Sequence, residues 1–151
     1  WKKARKLSGT SAGVQMIWGI QWDETLKWLI DTGEKTYSEV GSDSTSWGNY
    51  SRNSFTYYTN TSKSTSTKSK NNSTIIPSGA YEGANANNVF DLAGNVYDCT
   101  LESYGSWTGS YRYIRGGRCT EGDNYPAAYR GVIYPYLSDS TFALRCGLFI
   151  K

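Results

Sequence analysis

A single stretch of the chain, residues 15–33, carries a hydrophobic period long enough for a helix of several turns. Trp18, Trp22, Leu26, Leu29 and Ile30 fall at helical spacing, with polar Asp23, Glu24 and Lys27 between them. The pattern predicts an amphipathic helix ending near Gly33, with its Trp-rich stripe in the core. After residue 85 the texture changes to short runs rich in aromatic and aliphatic residues, bounded by Gly, Asn, Asp and Pro. Residues 89–92, 111–114 and 143–150 are the strand candidates. One helix followed by small strands and long connections reads as an α+β fold.

The length of 151 residues fits one domain spanning 1–151, and a domain of this size buries about two-thirds of its unfolded surface. Aliphatic runs are scarce, so the 6 Trp, 13 Tyr and 4 Phe must supply much of the core and of the contact surface. Residues 58–74 are almost wholly Ser, Thr, Asn and Lys, too polar to bury and without period, and are expected to form an exposed, mobile loop. The Asn-x-Ser/Thr matches at Asn60, Asn71 and Asn72 are what such a composition produces by chance. A net charge of +3, with Lys2, Lys3, Arg5 and Lys6 reading as a short amino-terminal arm, argues against nucleic-acid binding. No run approaches the roughly 18 apolar residues of a membrane span, so no membrane insertion is expected. The chain starts at Trp1 in mid-pattern, and the expectation is that it is the carboxy-terminal part of a longer polypeptide that oligomerises, if at all, through the remainder.

Histidine is absent, which removes Ser-His-Asp and Cys-His nucleophiles and every His-based metal site. Cys99, Cys119 and Cys146 form no CxxC pair, which leaves room for at most one internal disulfide and none for a zinc ribbon.

Six segments then fall into a recognisable order. The run Asn88-Val-Phe-Asp-Leu-Ala-Gly-Asn-Val-Tyr-Asp98 resembles the N-V-x-D-x-x-G-N-V-W-E-W segment of the formylglycine-generating-enzyme superfamily. Tyr113-Ile-Arg-Gly-Gly117 is similar to its R-x-x-R-G-G-S strand, Ala127-Ala-Tyr-Arg130 to its R-x-A-x-R segment, and Phe142-Ala-Leu-Arg-Cys146 to its terminal G-F-R-x-A strand. Upstream, Gly19-Ile-Gln-Trp-Asp23 stands where that superfamily has its L-P-T-E-A-E-W helix, and Ser46-Trp-Gly-Asn49 resembles its Y-P-W-G-N. The resemblance spans residues 15–150 and implies a C-type lectin fold: a small twisted antiparallel sheet, a flanking helix and long loops. It casts Arg115, Arg130 and Arg145 as scaffold cations tying irregular loops together. It also permits calcium on Asp91, Asn95 and Asp98, although capping and turn bonds are the commoner use of such residues, and no other cofactor is implied.

The superfamily's oxygenase chemistry uses two cysteines just beyond the R-G-G strand, whose thiolates bind copper. Here that stretch contains Cys119 alone, and the next thiol is Cys146. The iron-dependent relatives use histidines, which this chain lacks. No catalytic residue and no metal ligand is therefore assigned, and the expectation is a non-catalytic binding module. The runner-up is a residual oxygenase or protein-modifying enzyme using Cys119 with Cys99 or Cys146.

Residues 118–141 interrupt the matched scaffold with charged, aromatic and aliphatic residues in loops, the composition of a contact surface. Arg118, Thr120, Glu121 and Asp123 form one candidate block; Gly131, Val132, Ile133, Tyr134, Tyr136, Leu137 and Asp139 form the other. The arrangement is similar to the variable proteins of diversity-generating retroelements, in which the last stretch before a fixed terminal strand is rewritten. That resemblance implies a phage receptor-binding protein or bacterial adhesin, placed on a virion tail or cell surface, whose partner is a protein or glycan on a cell surface.

Overall fold

The computed structural model describes residues 14–105 and 111–148. The basic arm at Lys2, Lys3, Arg5 and Lys6 and the end of the expected terminal strand at Ile150 lie outside the described residues.

The predicted helix forms as α1, Gly19–Asp31. Trp22, Leu26 and Leu29 recur on one face and are buried, and the Trp22 indole Nε1 donates to Ala127 O at 3.0 Å. Its start lies later than the period suggested, because Val14–Met16 are extended as strand β1 and Trp18 is the cap residue. Trp18 is consequently not core: it precedes the helical period and stands 48% exposed, while the Gln21 side chain accepts its backbone N–H at 2.8 Å. A short second helix, α2 (Tyr37–Gly41), opens with a capping box, Glu39 N donating to Thr36 Oγ1 and Thr36 N to the Glu39 carboxylate.

The largest sheet has the order β8-β7-β6-β9, built from Tyr97–Tyr104 (β6), Tyr111–Arg115 (β7), Arg130–Ile133 (β8) and Phe142–Leu144 (β9). Two of its pairings are antiparallel and one, β6 with β9, is parallel. The terminal segment expected as one strand is two. After β9 the chain changes partners at Arg145, and Cys146–Leu148 (β10) pairs with β1, with Ile17 N donating to Arg145 O at the changeover. The expected strand at 89–92 is shorter, Val89–Phe90 (β5), a two-residue partner of Asn85–Ala86 (β4).

Residues 58–74, expected to be a loop, contain half of a hairpin: Phe55–Tyr58 (β2) pairs in register with Thr65–Lys68 (β3). Phe55 stacks on Tyr81 at 3.9 Å in a small core with Ile76 and Ala80, and polar β3 is carried along by its backbone pairing. Lys68 is 1% exposed, its ammonium donating to Tyr50 O (2.6 Å) and Asn53 O (3.0 Å) over the Phe55 ring. Polarity alone misjudged this segment because two backbone carbonyls satisfy the charge that should have kept it in water.

The main core gathers Ile17, Trp22, Leu26, Leu29, Val40, Trp47, Tyr50, Leu92 and Ala127. Two motifs distant in sequence meet at its edge. Asn49 N donates to Ala93 O, Asn95 N to Asn49 O at 2.8 Å, and Asn49 Nδ2 to Asn95 Oδ1 at 3.0 Å. A Cβ on Gly94, whose φ is +72°, would lie 2.3 Å from Asn49 O, so this crossing requires glycine.

Candidate surface for ligand binding

Strand alternation sends Tyr111, Tyr113 and Arg115 to one face of β7 and Arg112 and Ile114 to the other. On β8, Val132 stands opposite Tyr113 and shares its face, and Ile133 stands opposite Arg112. The two faces of the sheet therefore present different chemistry.

On the first face, rings touch in sequence across two strands, β6 and β7, and the segment that follows β8. Tyr104 meets Tyr113 (5.9 Å between centroids) and Tyr111 (6.3 Å), Tyr111 meets Tyr134 (4.4 Å), and Tyr134 stacks on Tyr136 (5.1 Å). A 2.6 Å hydroxyl–hydroxyl hydrogen bond joins Tyr111 to Tyr134 and raises the Tyr111 pKa, since an ionised phenol there loses its donor. Val132, Tyr104 and Tyr136 are exposed, the last to 76%. The charges bordering this face are already matched: Arg130 is paired with Glu102 and lies 3.9 Å over the Tyr113 ring, and buried Arg115 is paired with Asp23 of α1. Burial, with the nearby Arg130 charge, pushes the Arg115 pKa down to about 10.

The second face carries a cavity of about 180 Å³ beneath the 134–141 loop, lined by Met16, Cys99, Ile133, Leu137, Asp139 and Phe142 among others. The candidates Ile133, Leu137 and Asp139 thus belong to a different surface from Val132, Tyr134 and Tyr136. Gly131 lies against the Tyr129 ring, where a side chain would meet its hydroxyl at 2.9 Å. The Asp139 carboxylate accepts Thr141 N at 2.7 Å and Thr141 Oγ1 at 2.6 Å, bonds that hold its pKa low.

The block after β7 is bound into the scaffold. Arg118 donates to Glu121 Oε1 (3.1 Å) and Thr141 Oγ1 (3.2 Å) and lies over Tyr97. Glu121 Oε1 also accepts the Tyr97 hydroxyl, and Glu121 O accepts both Ser51 N and Ser51 Oγ. Asp123 pairs with Arg52 at 2.9 Å, both half-exposed, and Thr120 is exposed. Glu121 and Asp123 therefore do not share the tyrosine face. Tyr104, Tyr111 and Tyr113, absent from the sequence-derived set, do. The signal available for them was strand alternation, which places 111 and 113 on the face of 132.

All three cysteines are free thiols. Cys119 is buried with Sγ donating to Ser73 O, and Cys99 is half-buried; burial raises both pKa values, that of Cys99 to about 11. Asp91, Asn95 and Asp98 line one cleft, each with an oxygen already engaged by a protein donor. Asp91 Oδ2 accepts Ser78 Oγ and Gly79 N, Asn95 Oδ1 accepts Asn49 Nδ2 and Ile76 N, and Asp98 Oδ2 accepts Arg145 Nη2. Among the described residues no group of three or more His, Cys, Asp or Glu is placed to hold a metal ion, and no helix is long and apolar enough to cross a membrane.

Comparison with solved structures gives the same architecture in two proteins of low identity. CarF superposes with a TM-score of 0.62 at 17% identity over 95% of this chain and 49% of its own. The Treponema denticola variable protein 1 gives 0.60 at 17% identity over 89% of this chain and 47% of its own. The chain thus spans about half the length of either. No curated protein sequence gives a significant match. The profile of the sulfatase-modifying factor enzyme 1-like domain matches residues 6–148, nearly the whole length. The chain belongs to the family of sulfatase-modifying factor enzyme 1-like domains.

Proposed function

We propose that this domain is a non-catalytic ligand-binding module that docks its partner on the tyrosine face of β6, β7 and β8. The observation that carries the reading is the unbroken aromatic surface from Tyr113 through Tyr104, Tyr111 and Tyr134 to Tyr136. Tyrosine rings offer large contact area at low entropic cost, and the neighbouring charges are paired within the domain, so a partner need not desolvate a free one. Against catalysis stands the thiol chemistry: the stretch just beyond the Gly116-Gly117 turn holds one cysteine, Cys119, buried and with its pKa raised by burial, where copper binding needs two neighbouring thiolates and the next cysteine is Cys146. The finer reading is a receptor-binding or adhesin domain of a phage or bacterial surface, recognising a protein or glycan on a cell. Its support is the resemblance of residues 118–141 to the variable region of retroelement-diversified proteins, together with a fold shared with a protein described as a variable protein.

The test is binding of the domain to whole candidate target cells beside its melting temperature. Tyr134→Ala and Tyr136→Ala are expected to weaken binding by about 2 kcal/mol each, as central aromatic anchors do. Tyr136→Ala should leave the melting temperature unchanged, since that ring is the most exposed of the set. Thr61→Ala, in the β2–β3 turn, should alter neither. Loss of stability with cell binding intact would place the contact surface elsewhere.

A further inference from the structure

We propose that the outer edge of β8 pairs with the β8 of a second copy of this chain, antiparallel and across a two-fold axis at Val132. β8 is a terminal strand of the four-stranded sheet, so β7 covers only one of its two sides. Its pairing with β7 is regular over Arg130–Ile133, in contrast to that of β6 with β7, whose register shifts between Cys99 and Ser103. Gly116 N donates to Tyr129 O at 3.2 Å, which fixes the phase of the ladder. Tyr129, Gly131 and Ile133 therefore turn their backbone groups to β7, and Arg130 and Val132 turn theirs outward. Among the described residues, none supplies a backbone partner to the outward N–H and C=O of Arg130 and Val132.

Sheet edges are ordinarily blunted by an outward charge, a proline or a bulge. β8 has neither a proline nor a bulge, and Pro135 follows only after the strand has ended. Its one charged residue, Arg130, lays its guanidinium back over the Tyr113 ring and pairs it with Glu102, leaving the edge uncharged. Val132 stands 44% exposed on that edge. The edge is also its own complement. A two-fold axis at Val132 lets the two valines exchange both backbone hydrogen bonds and sets each Arg130 opposite Tyr134 of the second copy. That register keeps the like charges apart and puts a guanidinium beside a ring, whereas centring the pair on Arg130 would oppose the two cations. Residues opposite each other in an antiparallel pair share a face, so the two tyrosine faces would join into one aromatic surface. The pairing rests on the backbone of β8 and does not depend on what the tyrosine face binds.

The experiment is sedimentation velocity of the 151-residue chain over about a hundredfold range of concentration reaching the millimolar, where so short an interface is populated. Amide hydrogen exchange is read by NMR at both ends of that range. A reversible equilibrium between one copy and two is expected. In dilute solution the Arg130 and Val132 amides should exchange freely, while Gly131 and Ile133, bonded to β7, are protected. At high concentration the first two should slow by about tenfold or more and the other two should not change. Val132→Pro removes an outward N–H from each copy and none that serves β7, a position where an edge strand tolerates proline. It should raise the dissociation constant about tenfold or more. Val132→Lys, which sets two ammonium groups opposite each other on the axis, should do the same, so the test survives if the proline variant fails to fold. A single copy at every concentration would overturn the proposal. So would a dimer that neither variant weakens, or one in which the Val132 amide still exchanges freely.

Discussion

Arg145 shows how one side chain can tie three segments. From the point where the chain leaves β9 for β10, its guanidinium reaches Phe90 O (2.9 Å), Asp91 O (3.3 Å) and the Asp98 carboxylate (3.3 Å), and it lies 5.7 Å over the Trp22 ring. The Asp98 side chain is 8% exposed and that of Arg145 28%, so Arg145→Ala leaves a buried carboxylate without its cation. The expected cost is about 3 kcal/mol, which for a domain of this size lowers the melting temperature by about 6–12 °C. A calorimetric melt within a degree of the parent would show that Asp98 is relieved by protonation or water instead. The sequence motif located Arg145 and Asp98 as residues, but their pairing was illegible, because 47 positions separate them and only the parallel β6–β9 contact brings them together.

At the scale of elements, the β2–β3 hairpin shows where polarity and structure part. Composition places residues 58–74 in water, and most of them are there, yet Lys68 is enclosed with both its carbonyl acceptors supplied by the 50–53 turn. Burial lowers the Lys68 pKa, as expected for a cation removed from water without a carboxylate beside it. Lys68→Ala leaves two carbonyls unserved and the Phe55 ring uncovered, and is expected to destabilise the domain by about 2 kcal/mol. Exposed Lys70, only two residues on, should change stability by less than about 0.5 kcal/mol when replaced by alanine. Urea midpoints of the two variants make the comparison; equal midpoints would return β3 to the status of a loop. Helix α1 is the opposite case, since its period was strong enough to identify both the element and its buried face. Only its first turn was misplaced, because Gln15 and Met16 are extended in β1 and Trp18 caps the helix instead of entering it.

The whole molecule decides how its three thiols behave. Cys119 is enclosed behind the Gly116-Gly117 turn, where a Cβ on Gly117 would meet Tyr125 O at 2.4 Å; Cys99 faces the cavity under the 134–141 loop; Cys146 opens on the surface. Alkylation with iodoacetamide at pH 8, read by mass spectrometry, is therefore expected to label Cys146 first and to spare Cys99 and Cys119 until the domain opens. Folding raises the Cys99 pKa from an ordinary 9.0 to about 11, so the folded state holds this proton more tightly than the unfolded chain. The stability that this contributes is complete below pH 9 and is lost as pH rises through about 11. Rapid labelling of Cys99 at pH 8 in the folded domain would contradict its placement.

The sequence by itself determined the α+β class, the helix with its Trp22, Leu26 and Leu29 stripe, and the motif order that marks the family, because these rest on local period, turn chemistry and residue type. It also determined that histidine-based chemistry is excluded, since a missing histidine cannot be restored by folding. Tertiary structure alone decided how the candidate residues divide. Val132, Tyr134 and Tyr136 join Tyr104, Tyr111 and Tyr113 on one face, while Ile133, Leu137 and Asp139 turn to the other. Arg118 and Glu121 are drawn into the scaffold by Tyr97 and Ser51. The physical reason is that a surface is assembled from strand register and long-range pairing, and neither is encoded in the residue types of one loop.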